Sequence, residues 1–194
     1  MKIQLLRRIW LRFGEFLFRL LYAPQMLDCG KRAFISLPFR LDGIESIKLG
    51  DFSVVQARGW LYCITVDALQ AQLTIGSRCV LGYNNHIAAV REVVIGDDVL
   101  TANNVYISDN IHGYQDIKTP IMHQSVRFKQ SVHIGQGTWI GENVSVIGAN
   151  IGRNCIIGAN SVVTRDIPDF SVAVGVPARV VKQYDQVLCE WVNR

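Results

Sequence analysis

Of the side chains that exchange protons near neutral pH, the sequence holds four, His86, His112, His123 and His133. His112 ends the run ISDNIH, which Gly113 and Tyr114 follow. An imidazole there is a candidate general base, with Asp109, Ser108 or a backbone carbonyl to hold its second ring nitrogen in one tautomer. Nothing has the spacing of a metal site. The histidines are dispersed, and Cys29, Cys63, Cys79, Cys155 and Cys189 are odd in number, scattered and without a CxxC pair. The five thiols read as buried side chains of a protein in a reducing compartment, and no metal is expected.

What must position His112 is a repeat of six residues. Aligned on Ile, Leu or Val followed by a small residue, the chain reads IGSRCV (75–80), LGYNNH (81–86), IGDDVL (95–100), TANNVY (101–106) and ISDNIH (107–112). It resumes as IGQGTW (134–139), IGENVS (140–145), IGRNCI (151–156), IGANSV (157–162) and VTRDIP (163–168), with weaker copies LGDFSV (49–54) and VQARGW (55–60). A helix has a period of 3.6 and a simple strand a period of 2. A sustained six therefore requires short strands joined at regular corners, three to a coil, with the aliphatic position inward. Gly and Asn at the corners supply the left-handed backbone that such turns require. The architecture expected is an all-β parallel β-helix. Between His112 and His133 the register is lost and charges and Pro120 enter, so residues 113–133 are expected to leave the prism as one extruded loop beside His112. His86 holds the same sixth place in its own repeat as His112. Two extra residues between Ile87 and Ile95 put it on the preceding face rather than directly beneath His112.

The chain has 194 residues, 49% hydrophobic and 19% charged, enough for one domain with a sizeable core and incompatible with disorder or a coiled coil. Its net charge of +4 is concentrated at the amino end: Lys2, Arg7, Arg8, Arg12, Arg19 and Glu15 fall in the first 24 residues, leaving 15 basic and 15 acidic side chains beyond. A neutral body without a basic stripe excludes nucleic acid as a partner. At 100° per residue, the segment 2–22 places Gln4, Arg7, Arg8, Arg12, Glu15 and Arg19 on one arc and Leu6, Ile9, Trp10, Phe13, Phe16, Leu17 and Leu20 on the other. Such a basic amphipathic helix, residues 1–24, either lies on an anionic membrane surface or docks its apolar arc on the fold or on a neighbouring subunit. No apolar run approaches the ~18 residues of a membrane span, and charges interrupt any signal-peptide core, so a cytoplasmic location is expected, peripheral to the membrane if the helix lies on it.

Over residues 45–182 the sequence resembles the hexapeptide-repeat acyltransferases. The handedness this implies is that of the left-handed parallel β-helix. With the family comes a domain of residues 25–182, followed by a tail, residues 183–194, expected as a short C-terminal helix. The stretch around His112 resembles that of the catalytic histidine in maltose, galactoside and polysaccharide O-acetyltransferases. By that resemblance His112 is the base and Asn84 binds the acceptor. Asp109 is the candidate catalytic partner beside Ser108 and a backbone carbonyl, and His86 and Trp139, by their places in the repeats, are candidates to line the acceptor pocket. Where the maltose and galactoside enzymes carry an acidic pair, this chain has Ala89 and Val90. The run from Thr138 to Lys182 resembles the acetyl-CoA side of the family. Gly141 and Glu142 would lie beside the thioester, with a backbone N–H there for the oxyanion. Ala159 would meet pantetheine through its backbone, and Thr164, Arg165, Arg179 and Lys182 would take the nucleotide and its phosphates.

The carbonic-anhydrase-like members need three zinc histidines. Here the next after His112 is His123, within the loop, so metal hydration is not expected, nor is there room for a nucleotidyltransferase domain. The resemblance implies an acetyl-CoA-dependent O-acetyltransferase acting on a sugar hydroxyl of a surface polysaccharide (O-antigen, capsule or exopolysaccharide), free or lipid-linked. It also implies a homotrimer with active sites between subunits. Two alternatives stand beside this: an N-acetyltransferase of an amino sugar, and a noncatalytic β-helical trimer.

Overall fold

An aliphatic residue at every sixth position can be buried each time only if the chain turns one corner per repeat, and the backbone does so. The computed structural model describes the backbone of residues 2–194 and the side chains from Arg12 onward. Short parallel strands stack into three sheets. The first face holds Asp28–Cys29, Ile47–Leu49, Gln72–Ile75, Glu92–Ile95 and Val132–Ile134, continued by bridges at Ile151 and Ile167. The second runs from Phe34–Ile35 through Val80–Leu81, Leu100–Thr101 and Trp139–Ile140 to Ser171–Val174. The third holds Arg40–Asp42, Trp60–Cys63, His86–Ala89, Tyr106–Ser108, Ser145–Ile147 and Val162–Val163.

Register stacks like on like. Leu49, Ile75, Ile95 and Ile134 are partners in successive coils of the first face, and Leu61, Ile87, Ile107, Val146 and Val163 of the third, all buried. Each such side chain stabilises the fold by roughly 1.5–3 kcal/mol relative to exposure. At the second-to-third corner Asn84, Asn104, Asn143 and Asn160 all take positive φ, a conformation asparagine tolerates better than most residues. Hydroxyls inside the corners tie each coil to the next. Thr138 Oγ1 donates to Gly152 O (2.8 Å) and accepts from the Cys155 N–H (3.0 Å). Cys63, Cys79 and Cys155 are buried and burial raises their thiol pKa, that of Cys63 to about 12. Cys29 is half-buried, and Cys189, expected inside, is exposed.

The amino-terminal helix spans Lys2–Leu21. The side-chain expectations at Gln4, Leu6, Arg7, Arg8, Ile9 and Trp10 fall outside the described residues. From Arg12 on, the helix docks through Phe18, fully buried against Phe39 and Tyr22. The Arg19 guanidinium donates to Gly30 O (2.9 Å) and Ala33 O (3.2 Å) of the first coil. Docking leaves Phe16, Leu20 and Leu21 exposed, so it covers only part of the apolar arc.

The carboxyl end corrects the expectation of a helix. Arg179–Asp185 runs antiparallel to Ser171–Val174, and Glu190–Asn193 folds back on it. The reason is local. Val180 and Val181 are β-branched and favour a strand, Asp185 Oδ1 accepts the Val187 and Leu188 amides (2.8 and 3.0 Å) to make the turn, and Tyr184 meets Trp191 edge-on across the hairpin.

Candidate active site

The chain leaves the prism at the end of the third face. Asn110–His112 pairs antiparallel with Val126–Phe128, so His112 closes one side of a two-stranded stem and faces Val126 across it. Its side chain is exposed. The stem thus begins before the expected loop boundary, and the coil resumes at Val132, which places His133 on the first face rather than in the loop.

Asp109, expected to orient His112, does something else. It is fully buried, and Oδ1 accepts the Val90 amide (2.9 Å) and the Asn110 side-chain amide (2.9 Å), while Oδ2 accepts the Arg91 and Glu92 amides (both 2.8 Å). Three consecutive N–H groups of the preceding corner form a nest around this carboxylate. Its own carbonyl accepts the Lys129 N–H (2.8 Å) at the other end of the loop. Asp109 is therefore a brace that ties both ends of the stem to the prism, and it positions His112 through the backbone. Ser108 is also engaged, its Oγ donating to Asn110 O (2.7 Å).

The expected acceptor residues divide. Asn84 and His86 line one cavity of about 310 Å³. His86 pairs in register with Tyr106, one repeat before His112 and so not beneath it, as the residue count predicts, and stacks on Trp60 with ring centroids 4.0 Å apart. Burial, then the nearby Arg40 charge, lower its pKa below the ordinary histidine value. Trp139 is on the second face, exposed between Leu100 and Ile156, and joins neither that cavity nor the His112 stem.

Two residues assigned to the thioester have other partners. The Gly141 N–H donates to Ile157 O of the next coil (2.8 Å), so it is taken up by the ladder. The Glu142 carboxylate accepts from the Asn103 N–H (3.2 Å) and the Asn104 side-chain amide (3.1 Å), bracing the corner below. Ala159, Thr164, Arg165, Arg179 and Lys182 are exposed at the carboxyl-terminal coils, and among the described residues none of the three cations is in an ion pair with a carboxylate. That donor set suits the phosphates of a coenzyme A nucleotide. Among the described residues no group of three or more His, Cys, Asp or Glu is placed to hold a metal ion.

Two arrangements lay beyond sequence reasoning. His133 Nε2 lies 3.0 Å from Glu92 Oε2 on the first face, and this hydrogen bond lowers the Glu92 pKa. Arg91 reaches Asp67 (2.6 Å) and lies 4.2 Å over the Phe128 ring, clamping the returning side of the stem. The partners are 24 and 37 positions from Arg91, separations at which no local motif operates.

The hexapeptide repeat of succinyl-transferase matches residues 72–109 and 131–165. A Mycobacterium tuberculosis protein named as an acetyltransferase is 46% identical over 144 residues, 72% of this chain and 48% of that protein. WbbJ of Escherichia coli K12, named as a lipopolysaccharide biosynthesis O-acetyl transferase, is 42% identical over 55% of this chain and 58% of its own. The chain thus spans about half the length of these two relatives. Galactoside O-acetyltransferase of the same organism is 33% identical over 76% of this chain and 72% of its own. Among solved structures, AntD, an N-acyltransferase from Bacillus cereus in complex with dTDP and 3-hydroxybutyryl-CoA, superposes with a TM-score of 0.72 at 19% identity, covering 88% of this chain and 89% of its own, a likeness of fold. Repeat, stacked coils and relatives agree, and the chain belongs to the hexapeptide-repeat acyltransferase family, whose fold is the left-handed parallel β-helix.

Proposed function

We propose that the protein is an acetyl-CoA-dependent O-acetyltransferase that acetylates a sugar hydroxyl during assembly of a surface polysaccharide. The observation that carries this reading is the His112 stem, which holds an exposed imidazole at a braced exit from the prism. The names of WbbJ and galactoside O-acetyltransferase support a hydroxyl acceptor. In the reaction His112 takes the proton of the sugar hydroxyl as its oxygen attacks the thioester carbonyl. The tetrahedral intermediate collapses to the acetyl ester, and the departing coenzyme A thiolate receives that proton from the imidazolium. Arg165, Arg179 and Lys182, with Thr164 and the Ala159 backbone, hold the nucleotide and pantetheine. The working unit is a homotrimer, in which His112 of one copy serves the coenzyme groove of another.

Free thiol released from acetyl-CoA, measured against a panel of sugars, amino sugars and lipid-linked oligosaccharides, tests the reading. Turnover on an acceptor that bears hydroxyls and no amine is expected, and turnover on amines alone would replace this reading with amino-sugar N-acetylation.

The same reading places the enzyme on the cytoplasmic side of the membrane where lipid-linked glycans are built, with Phe16, Leu20 and Leu21 facing the lipid and Arg12 near its phosphates. Full-length protein should float with anionic but not with zwitterionic liposomes and lose flotation when Phe16 and Leu20 are replaced by Ser. Equal flotation with both lipids would sink the membrane assignment.

A further inference from the structure

The amino-terminal helix brings more charge to the prism than its docking uses. Arg12, Glu15, Phe16 and Arg19 stand at positions i, i+3, i+4 and i+7 of the helix and so share one face. That face closes on the first corner of the prism, where Arg32 lies between Asp28–Cys29 and Phe34–Ile35. Together the five residues line a cavity of about 720 Å³. Arg19 joins its two walls, because the guanidinium that leaves the helix donates to Gly30 O and Ala33 O, on either side of Arg32 in the chain.

The charge of this cavity is one-sided. Three guanidinium groups meet one carboxylate, and among the described residues none of Arg12, Arg19 and Arg32 is in an ion pair. Arg78, at the same corner two coils on, shows the compensated case: Asp98 holds it at 2.7 Å and Asp97 at 3.4 Å. Cations gathered without counter-charges repel one another, and an anion entering between them removes that cost. Guanidinium groups are planar forks of N–H donors that match the oxygens of a phosphate.

The rim distinguishes one source of phosphate from another. Phe16 lines the cavity, Leu20 follows it one helical turn on, and Phe52 takes the corner one coil above Arg32, its N–H donating to Lys31 O (2.8 Å). All three leave more than half of their surface exposed. A dissolved anion gains nothing from such a rim. A phosphate that carries acyl chains does, since cations at headgroup level beside inserted apolar side chains are the pattern of an interfacial lipid contact.

We propose that this cavity is a headgroup site for one anionic phospholipid, with Arg12, Arg19 and Arg32 around the phosphate and Phe16, Leu20 and Phe52 against the acyl chains. It rests on the reading of the helix as a membrane-surface element and goes beyond it. A site shared by the helix and the first coil selects a headgroup, and it fixes the prism itself to the surface rather than the helix alone.

The test is binding of the full-length protein to vesicles of phosphatidylcholine with and without phosphatidylglycerol, followed by flotation across lipid concentration. Arg32→Asn should weaken binding to the phosphatidylglycerol vesicles about 10-fold to 100-fold, the range of one charge-assisted hydrogen bond. Arg32→Lys keeps the charge and loses the fork, and should weaken binding roughly 10-fold. Arg58 is the matched control. It too is left-handed, with φ 61° against 54° for Arg32, and has no ion pair among the described residues, but it stands at the corner between the second and third faces, so Arg58→Asn should bind as the parent does. Asparagine tolerates this φ, so neither Asn variant should unfold at a lower denaturant concentration, which separates lost binding from lost folding. In calorimetric titration a short-chain phosphatidylglycerol should bind at least about 10-fold more tightly than inorganic phosphate, because its chains add buried apolar area. Unchanged binding in Arg32→Lys, or equal losses in Arg32→Asn and Arg58→Asn, would overturn the headgroup site and leave the membrane reading standing on diffuse attraction. Inorganic phosphate binding as tightly as the short-chain lipid would overturn it in favour of a free-anion site. Failure of the parent protein to bind phosphatidylglycerol vesicles at all would sink the membrane reading and the headgroup site together.

Discussion

His112→Ala is expected to lower acetyl transfer by about 10²-fold to 10⁴-fold, the contribution of a positioned general base, while leaving coenzyme A binding intact. The side chain is exposed at the end of a two-stranded stem, so truncating it removes little packing, and a stability change within about 0.5 kcal/mol is expected. The cations assigned to the nucleotide, Arg165, Arg179 and Lys182, lie on the carboxyl-terminal coils, beyond the point where the stem leaves the prism. The measurement is steady-state thiol release on an active acceptor together with coenzyme A binding by the same preparation. His133→Gln is the informative control, because His133, not His112, carries a carboxylate partner in Glu92 and has the outward form of a base with its orienting acid. A full rate in His112→Ala with a collapsed rate in His133→Gln would move the chemistry to the first face and refute the stem as the active site.

The two histidines also show where sequence reading stops. The six-residue period was legible because a β-helix repeats its inward position at fixed spacing, so Ile75, Ile95, Ile107 and Ile157 announce themselves in one dimension. The asparagine corners were legible for the same reason. What was not legible is which way a polar corner residue points. Asp109 and His112 are three apart and read as a pair, yet the corner turns the Asp109 carboxylate inward onto the amides of residues 90–92. Gly141 and Glu142 read as a thioester site, and stacking of the next coil claims the Gly141 amide for Ile157. Arg40, Trp60 and His86 meet only through the vertical pairing of coils, at separations of 20 and 26 that match no local period. The tail misled because the repeat simply ends, and the strand preference of Val180 and Val181 shows only against the partner strand Ser171–Val174.

Asp109→Ala is expected to cost about 3–5 kcal/mol of stability, the combined loss of several buried hydrogen-bond donors left without an acceptor. The substitution strands the amides of Val90, Arg91 and Glu92 at a corner where the carboxylate satisfied all three, and each unsatisfied buried donor is worth about 1–3 kcal/mol. Asp109→Asn keeps one acceptor oxygen but turns an N–H toward the nest, so an intermediate loss is expected. Urea unfolding measures both, as a lower midpoint at unchanged slope. The effect on catalysis separates a brace from a catalytic partner. Asp109 holds the stem to the prism through the Lys129 amide as well as the nest, so loosening it should also raise proteolytic cleavage within residues 113–131. A residue acting only on the His112 ring would lower turnover in Asp109→Asn with the urea midpoint and the loop's protease resistance unchanged, and that pattern would refute the brace.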